Sequence, residues 1–220
     1  MKIGIRERMT MMTKLILATN NQNKLREIRE MLKGLPFEVV SQSEAGFDLD
    51  VEETGKTFLA NAAIKAEALR DAAGQRGISC YTLADDSGLC VEALGGAPGV
   101  YSHRYAGENA TDAKRNTKLL AEMEGKENRR ASFICAMVLM TPEHHSLSFE
   151  GEVCGEIGDA PRGENGFGYD PIFYIDGRSF AEFSAEEKNA VSHRKRALEQ
   201  VVAELKKRME ERKKNENADE

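Results

Sequence analysis

Two β-type runs, Ala131 to Met140 and Ser146 to Ile157, are separated by only five residues, Thr141-Pro142-Glu143-His144-His145. Runs this long and this close pair as an antiparallel hairpin, because a parallel pairing needs a crossover of about a dozen residues or more. Any sheet in this chain is therefore at least partly antiparallel. The N-terminal third reads differently. A strand signal at Lys14 to Thr19 passes directly into a helical pattern, with Leu25, Ile28, Met31, Leu32 and Leu35 at three- and four-residue spacing. Gly34 and Pro36 stop that helix, and Phe37 to Val40 reads as a second strand. The combined expectation is an α/β fold: an elongated mixed sheet with flanking helices, in two lobes around a central cleft.

Further along, a helix is expected from Thr57 to Ala73, then a strand from Ser79 to Ala84 that delivers Asp85-Asp86-Ser87-Gly88 at its end, then a short strand from Leu89 to Leu94. Thr111 is a good N-cap for a helix ending at Gly125. Ser184-Ala185-Glu186-Glu187 has the spacing of a capping box. The last helix carries Leu198, Val201, Val202, Leu205 and Met209 on one face. Three segments follow: an N-terminal extension, residues 1–13, disordered or ahead of the true start at Met9, Met11 or Met12; a single two-lobed domain, 14–205; and a charged, fraying tail, 206–220.

Composition narrows the function classes. At 220 residues the chain can bury a real core. No apolar stretch approaches the roughly 18 residues of a membrane span, and no apolar run marks a secretory signal near Met1, so the expected location is cytoplasmic, without a membrane partner. A net charge of −6 argues against bulk attraction to nucleic acid, while local lysines leave a phosphate-bearing small substrate open. Cys80, Cys90, Cys135 and Cys154 form no CxxC pair and read as free, buried thiols in strands.

Several segments can carry chemistry, and each has a plainer structural reading. Thr19-Asn20-Asn21-Gln22-Asn23-Lys24 opens a helix, where backbone N–H groups and Lys24 suit a phosphate; an Asn-rich stretch can also simply cap the helix. Asn61 and Lys65 lie four apart on one helical face, as a solvated face also would. Glu52-Glu53 and Asp85-Asp86 offer hard oxygen ligands of the kind magnesium takes, or are acidic turns. Gly166-Phe167-Gly168-Tyr169-Asp170 places aromatics between glycines, for base stacking or a tight turn. Lys188, His193 and Arg194 gather donors at a helix start, against the helix dipole, where a bound anion or electron-rich base would explain them. Two familiar signatures fail. Gly55-Lys56-Thr57 lacks the first P-loop glycine, which would fall at Asp50, and Arg26-Glu27-Ile28-Arg29-Glu30 has Met31 where a Nudix helix wants a carboxylate.

In order, these segments resemble the inosine triphosphate pyrophosphatase family. The matching stretches are Ala18 to Lys24, Glu52 to Phe58 with Asn61-Ala62 and Lys65-Ala66, Ala84 to Leu89, Leu94 to Ser102 with Arg104-Tyr105, Gly166 to Phe173, and Glu187-Lys188 with Ser192-His193-Arg194. The likeness spans roughly Lys14 to Leu205. The resemblance implies Mg2+-dependent hydrolysis of ITP, dITP and XTP to monophosphate and pyrophosphate, by a homodimer. It implies Asp86 as magnesium ligand and general base, Glu53 and possibly Glu52 on the metal, and Lys24, Lys65 and Lys188 neutralising phosphate charge. Thr19 to Asn23, Ser87, Gly168, Tyr169 and Asp170 would line the substrate, Phe167 would stack on the base, and His193 or Arg194 would donate to purine position 6. The competing readings are a nucleotide-binding regulator that has lost hydrolysis, and a pyrophosphatase for pyrimidine or modified nucleotides.

Overall fold

The computed structural model describes residues 12–218; the side chains of Asn23, Lys213 and residues 216–218 lie outside that description, as do residues 1–11 of the expected N-terminal extension and residues 219–220. Seven strands form one mixed sheet in the order β2-β1-β3-β4-β5-β6-β7. Strand β1 (Thr13–Leu17) pairs in parallel with β2 (Phe37–Ser41) and with the start of β3 (Tyr81–Val91). Strand β3 then runs antiparallel to β4 (Arg130–Met140), and β4 antiparallel to β5 (Ser146–Ile157), which is the hairpin expected from the five-residue connection. The short strands β6 (Phe173–Ile175) and β7 (Arg178–Ser179) complete the far edge.

Alternation along β1 sorts the core. Leu15 and Leu17 face helix α1 (Gln22–Met31) and helix α5 (His193–Ala218), packing with Leu25, Ile28, Leu198, Val201 and Leu205. Ile16 points the other way, joining Leu69 and Ala73 of helix α2 (Phe58–Gln75). A second lobe surrounds the far ends of β3 and β4, where Leu89, Val91 and Phe133 pack with Leu119 of helix α3 (Asp112–Glu122) and with Tyr169, Phe173 and Phe180. Burying such side chains stabilises each lobe by about 1.5–3 kcal/mol per large residue.

Two caps are those expected: Thr111 accepts from the Lys114 N–H, and Ser184 with Glu187 closes a capping box at helix α4 (Ala185–Val191). Thr57 also caps α2, accepting from the Ala60 N–H. Gly151 has a plain packing reason: an added Cβ would strike the His193 carbonyl oxygen and lie 2.6 Å from the Ala197 nitrogen, so only glycine lets α5 sit this close on β5.

Three expectations need correction. Asp85 and Asp86 are not at a strand end: β3 is continuous over 11 residues through both, because β4 pairs with it from Thr82 to Val91. Cys154 is exposed and Cys90 half-buried, since both sit on the open face of the sheet; only Cys80 and Cys135 are buried. The charged tail does not fray from Lys206. Helix α5 continues to Ala218, Met209 still packs on the core, and Arg212 reaches Glu143 of the β4–β5 turn at 2.7 Å.

Candidate active site

The cleft follows from where β1 stops. Its last partner on β3 is Leu83, and Ala18 adds one more bond to the Leu83 carbonyl. Past that point β3 loses β1 as a partner, and its edge is next bonded at Leu89, whose N–H donates to Ser102 Oγ at 3.0 Å, and at Cys90, which bridges Pro98; a cavity of about 450 Å³ opens in the gap. It lies beyond the carboxyl end of a parallel strand, where open α/β sheets place their ligands.

Because successive residues of a strand point to opposite faces, the two aspartates part company. Asp85 turns toward α1 and α5. Its Oδ2 lies 2.7 Å from Lys24 Nζ and 3.7 Å from Arg194 Nε, although neither approach is directed as a hydrogen bond. Burial pushes its carboxyl up, but Lys24, Arg194 and Lys65 more than offset that and hold it well below the usual range. Asp85 is thus a buried anion at neutral pH.

Asp86 faces α2. Asn61 Nδ2 donates to its Oδ2 at 2.9 Å, and the Ser87 N–H donates to its Oδ1 at 2.9 Å. Asn61 is itself fixed, since its Oδ1 accepts the Gly55 N–H at 2.8 Å. Burial raises the Asp86 pKa, Lys65 and Asn61 pull it down, and the neighbouring Glu53 carboxylate pushes it up. One turn along α2 from Asn61, Lys65 donates to Glu53 at 2.5 Å. Burial lowers the Lys65 pKa, but Asp85, Asp86 and Glu53 raise it further, so the ammonium stays charged.

The structure settles which glutamate faces the cleft: Glu53 lines it, and Glu52 is exposed and does not. Among the described residues no group of three or more His, Cys, Asp or Glu forms a closed metal cage. Asp86 and Glu53 do fit a magnesium ion held by one or two carboxylates plus substrate oxygens, since the Glu53 carboxylate works against the ionised form of Asp86 and a cation beside them would relieve that repulsion.

Of the first loop, Asn21 and Lys24 line the cleft, whereas Thr19, Asn20 and Gln22 do not. Thr19 Oγ1 accepts the Asn21 N–H at 3.1 Å and Asn21 Oδ1 accepts the Lys24 N–H at 3.2 Å, so part of this segment caps the helix. The Asn23 side chain lies outside the described residues.

The opposite wall comes from the second lobe and α4–α5. Phe167 is 47% exposed, an apolar ring offered to the cleft, with Lys188 Nζ 4.7 Å above it. Asp170 accepts from Lys188 and from the Phe167 N–H at 2.8 Å, which folds the glycine loop back on itself. Burial raises the Asp170 carboxyl, against the pull of Lys188. Tyr169 is buried and donates to the Ser102 carbonyl at 2.8 Å, so it braces the lobe instead of presenting its hydroxyl. His193 stacks on Phe133 at 5.0 Å, and burial with the nearby Arg194 and Lys188 charges keeps it neutral. Its Nδ1 is buried without a partner. Arg194 is largely committed elsewhere, donating to Glu27 at 3.0 Å beside Asp85.

Sequence reasoning counted Ser102 and Arg104 in a matching stretch without giving them a role and did not single out His103, Asp112 and Arg115; all five also line the cleft. The signal for Ser102 and Arg104 lay in that stretch, Gly99-Val100-Tyr101-Ser102 with Arg104. At Gly88 an added Cβ would strike Ser102 Oγ and sit 2.7 Å from the Gly99 carbonyl, so that glycine marks where the segment docks on β3.

A mixed sheet in two lobes, with a cleft that sets carboxylates and lysines on one wall and an aromatic loop on the other, defines an α/β protein built to hold a phosphorylated, ring-bearing ligand. The sequence profile of the Ham1 family matches residues 15–204, and the chain belongs to that family. It is 47% identical over 200 residues to the dITP/XTP pyrophosphatase of Clostridium perfringens, covering 89% of this chain and 98% of that one. It is 51% identical over 191 residues to the dITP/XTP pyrophosphatase of Geobacter sulfurreducens, covering 85% and 94%. Among solved structures, the Ham1 protein of Staphylococcus aureus superposes with a TM-score of 0.82 at 42% identity, covering 89% of this chain and 99% of the other. The HAM1 protein of Coxiella burnetii gives 0.82 at 48% identity, covering 89% and 100%. The family resemblance and the mixed α/β fold read from the motifs are both borne out.

Proposed function

We propose that this protein is a nucleoside triphosphate pyrophosphohydrolase that cleaves non-standard purine nucleotides (dITP, ITP and XTP) to the monophosphate and pyrophosphate. The observation that carries the reading is Asp86: a carboxylate with a raised pKa, oriented by Asn61 and the Ser87 N–H, beside a charged lysine and a second carboxylate in an open cleft. Relatives named dITP/XTP pyrophosphatase, 44% to 51% identical over nearly their whole length, support the substrate class.

Asp86 takes the proton from a water that attacks phosphorus at the α–β bridge; the new P–O bond forms as the bridging P–O bond breaks, and pyrophosphate leaves with the electron pair. Lys24 and Lys65 neutralise charge that shifts to the leaving group, a contribution of about 3–4 kcal/mol per well-placed donor. Glu53 and Asp86 would hold Mg2+, which when bound supplies electrostatic stabilisation of the phosphate oxygens. Phe167 stacks on the base, and Lys188 caps the ring. Purine choice rests on a donor from His193, Arg194 or nearby backbone to the oxygen at purine position 6, where adenine would present an amino group; the buried, unpartnered His193 Nδ1 supports His193 in that role as an N–H donor.

A homodimer is also inferred, as the family resemblance implies. Among the described residues no helix is long and apolar enough to cross a membrane; a cytoplasmic location is proposed from the nucleotide substrates that the relatives' names carry. The test is pyrophosphate release from dITP, XTP, GTP and ATP with magnesium. The expected result is turnover of dITP and XTP, little of GTP or ATP, and a loss of about 10²–10⁴-fold in Asp86→Asn. Nucleotide binding without pyrophosphate release by the wild type would instead make the chain a regulator.

A further inference from the structure

The first turns of α3 hold a set of polar side chains that the hydrolysis does not use. Asp112 has both oxygens engaged: Oδ1 accepts from Arg115, and Oδ2 accepts the Gly168 N–H at 2.6 Å. One turn on, Asn116 Nδ2 donates to the Gly168 carbonyl at 3.1 Å. Both peptide groups flanking Gly168 are therefore gripped by one helix, 56 and 52 residues earlier in the chain. Arg115, buried, is in turn fixed by the His103 carbonyl at 2.9 Å and the Ala110 carbonyl at 2.5 Å.

Two features mark this as more than loop packing. Asn116 is 5% exposed, and its Oδ1 is buried with no partner. An unpaired buried amide oxygen is costly, and rotating the amide would turn that oxygen onto the Gly168 carbonyl, so the orientation is retained at the expense of stability. Gly168 also has a left-handed backbone, φ 66°, and an isolated loop of Gly-Phe-Gly would have many other conformations to visit. The side chain that depends on that backbone is Phe167, exposed in the cleft.

We propose that Asp112 and Asn116 are positioning residues that set the pose of Phe167, with Arg115 orienting Asp112, so that α3 governs recognition of the base and not of the phosphates. This rests on the nucleotide reading above. Its consequence is a separation: loosening the grip weakens nucleotide binding while leaving the Lys24 and Lys65 wall intact.

The test compares wild type with Asn116→Leu and with Asp112→Ala, a half-exposed helix-start position that should fold whatever happens to Asn116. Two ligands are titrated calorimetrically, dITP with calcium in place of magnesium, and inorganic tripolyphosphate, which has no base. Steady-state kinetics on dITP with magnesium run alongside. Each variant should weaken dITP binding and raise KM by about tenfold, as expected for one lost buried hydrogen bond. Tripolyphosphate affinity should stay within about twofold, because its partners are untouched. Asp112→Asn, which keeps an acceptor for the Gly168 N–H, should recover part of the loss. Equal weakening of both ligands, or a fall in melting temperature with both affinities unchanged, would overturn the proposal. A wild type that binds dITP but releases no pyrophosphate would sink the hydrolase reading and leave this comparison of binding intact.

Discussion

Asp85 is the residue whose removal should most clearly separate scaffold from chemistry. Its side chain is 4% exposed, against 19% for Lys24 and 9% for Arg194. Asp85→Asn keeps the volume and deletes the charge, leaving Lys24 with no anion at 2.7 Å and Arg194 with Glu27 alone. Breaking a buried ion pair costs about 3–5 kcal/mol, most of it the penalty of the stranded partner. Lys24 retains some access to water, which places this case near the lower end, about 3 kcal/mol. For a chain of this size each kcal/mol moves the melting temperature by about 2–4 °C, so a drop of about 6–12 °C is expected by calorimetry. Lys24→Met should cost a similar amount, and the double variant should cost less than the sum by at least about 1 kcal/mol. The pH dependence has a definite sign. The folded pKa of Asp85 is depressed, so its stabilisation is present above the unfolded value of 3.8 and is lost as pH falls through the folded value. Wild type and Asp85→Asn should therefore converge in stability in strong acid. A melting temperature within about 2 °C of wild type at pH 7, or strictly additive costs in the cycle, would refute this account of the buried charge.

Other outcomes follow from the same geometry. Lys65 lowers the Asp86 pKa, so Lys65→Met should move the acid limb of the kcat/KM profile to higher pH, besides reducing the plateau; a pH–rate series reads both. Burial depresses the His193 pKa far below 6.5, so the unfolded chain takes up a proton there that the folded one refuses. Stability should fall by up to about 1.4 kcal/mol per pH unit below 6.5 and be unaffected above it on this account; urea midpoints at pH 5 and 7 should show a smaller difference in His193→Gln. Gly151→Ala drives a methyl group into the backbone of α5 and should lower stability by about 1–3 kcal/mol or more, seen as a lower melting temperature.

Much of this fold was legible because its signals are local. The β4–β5 hairpin, the capping residues Thr111 and Ser184, and the apolar face from Leu198 to Met209 each depend on spacings of a few residues. The reading of β3 failed for a reason that is not local. Asp85 and Asp86 are poor strand residues, and a run interrupted by two acids reads as two strands joined by a turn. What keeps the strand whole is pairing with β4, about 50 residues away, and the cations that meet each carboxylate on its own side. The same limit explains the site. Lys24, Lys65 and Asp86 were found because they stand in short motifs, but Asp112, Arg115 and Asn116 act on a loop more than 50 residues distant. The tail after Lys206 looked fully solvated because Met209 is the only large apolar residue in it, and one docked side chain with a few ion pairs suffices to extend a helix already nucleated upstream.

The opposed aspartates of β3 also bear on how the protein regains activity after denaturation. A slip of one residue between β3 and β4 would turn Asp86 toward Lys24 and Arg194 and leave Asp85 facing Asn61 and Lys65. Such a chain would be compact, strand-rich and close to native by circular dichroism, yet its acids would have traded partners, and neither would stand where a water could be activated. Return of turnover therefore requires the β3–β4 pairing to be in register, a condition that a probe of collapse or of secondary structure does not report.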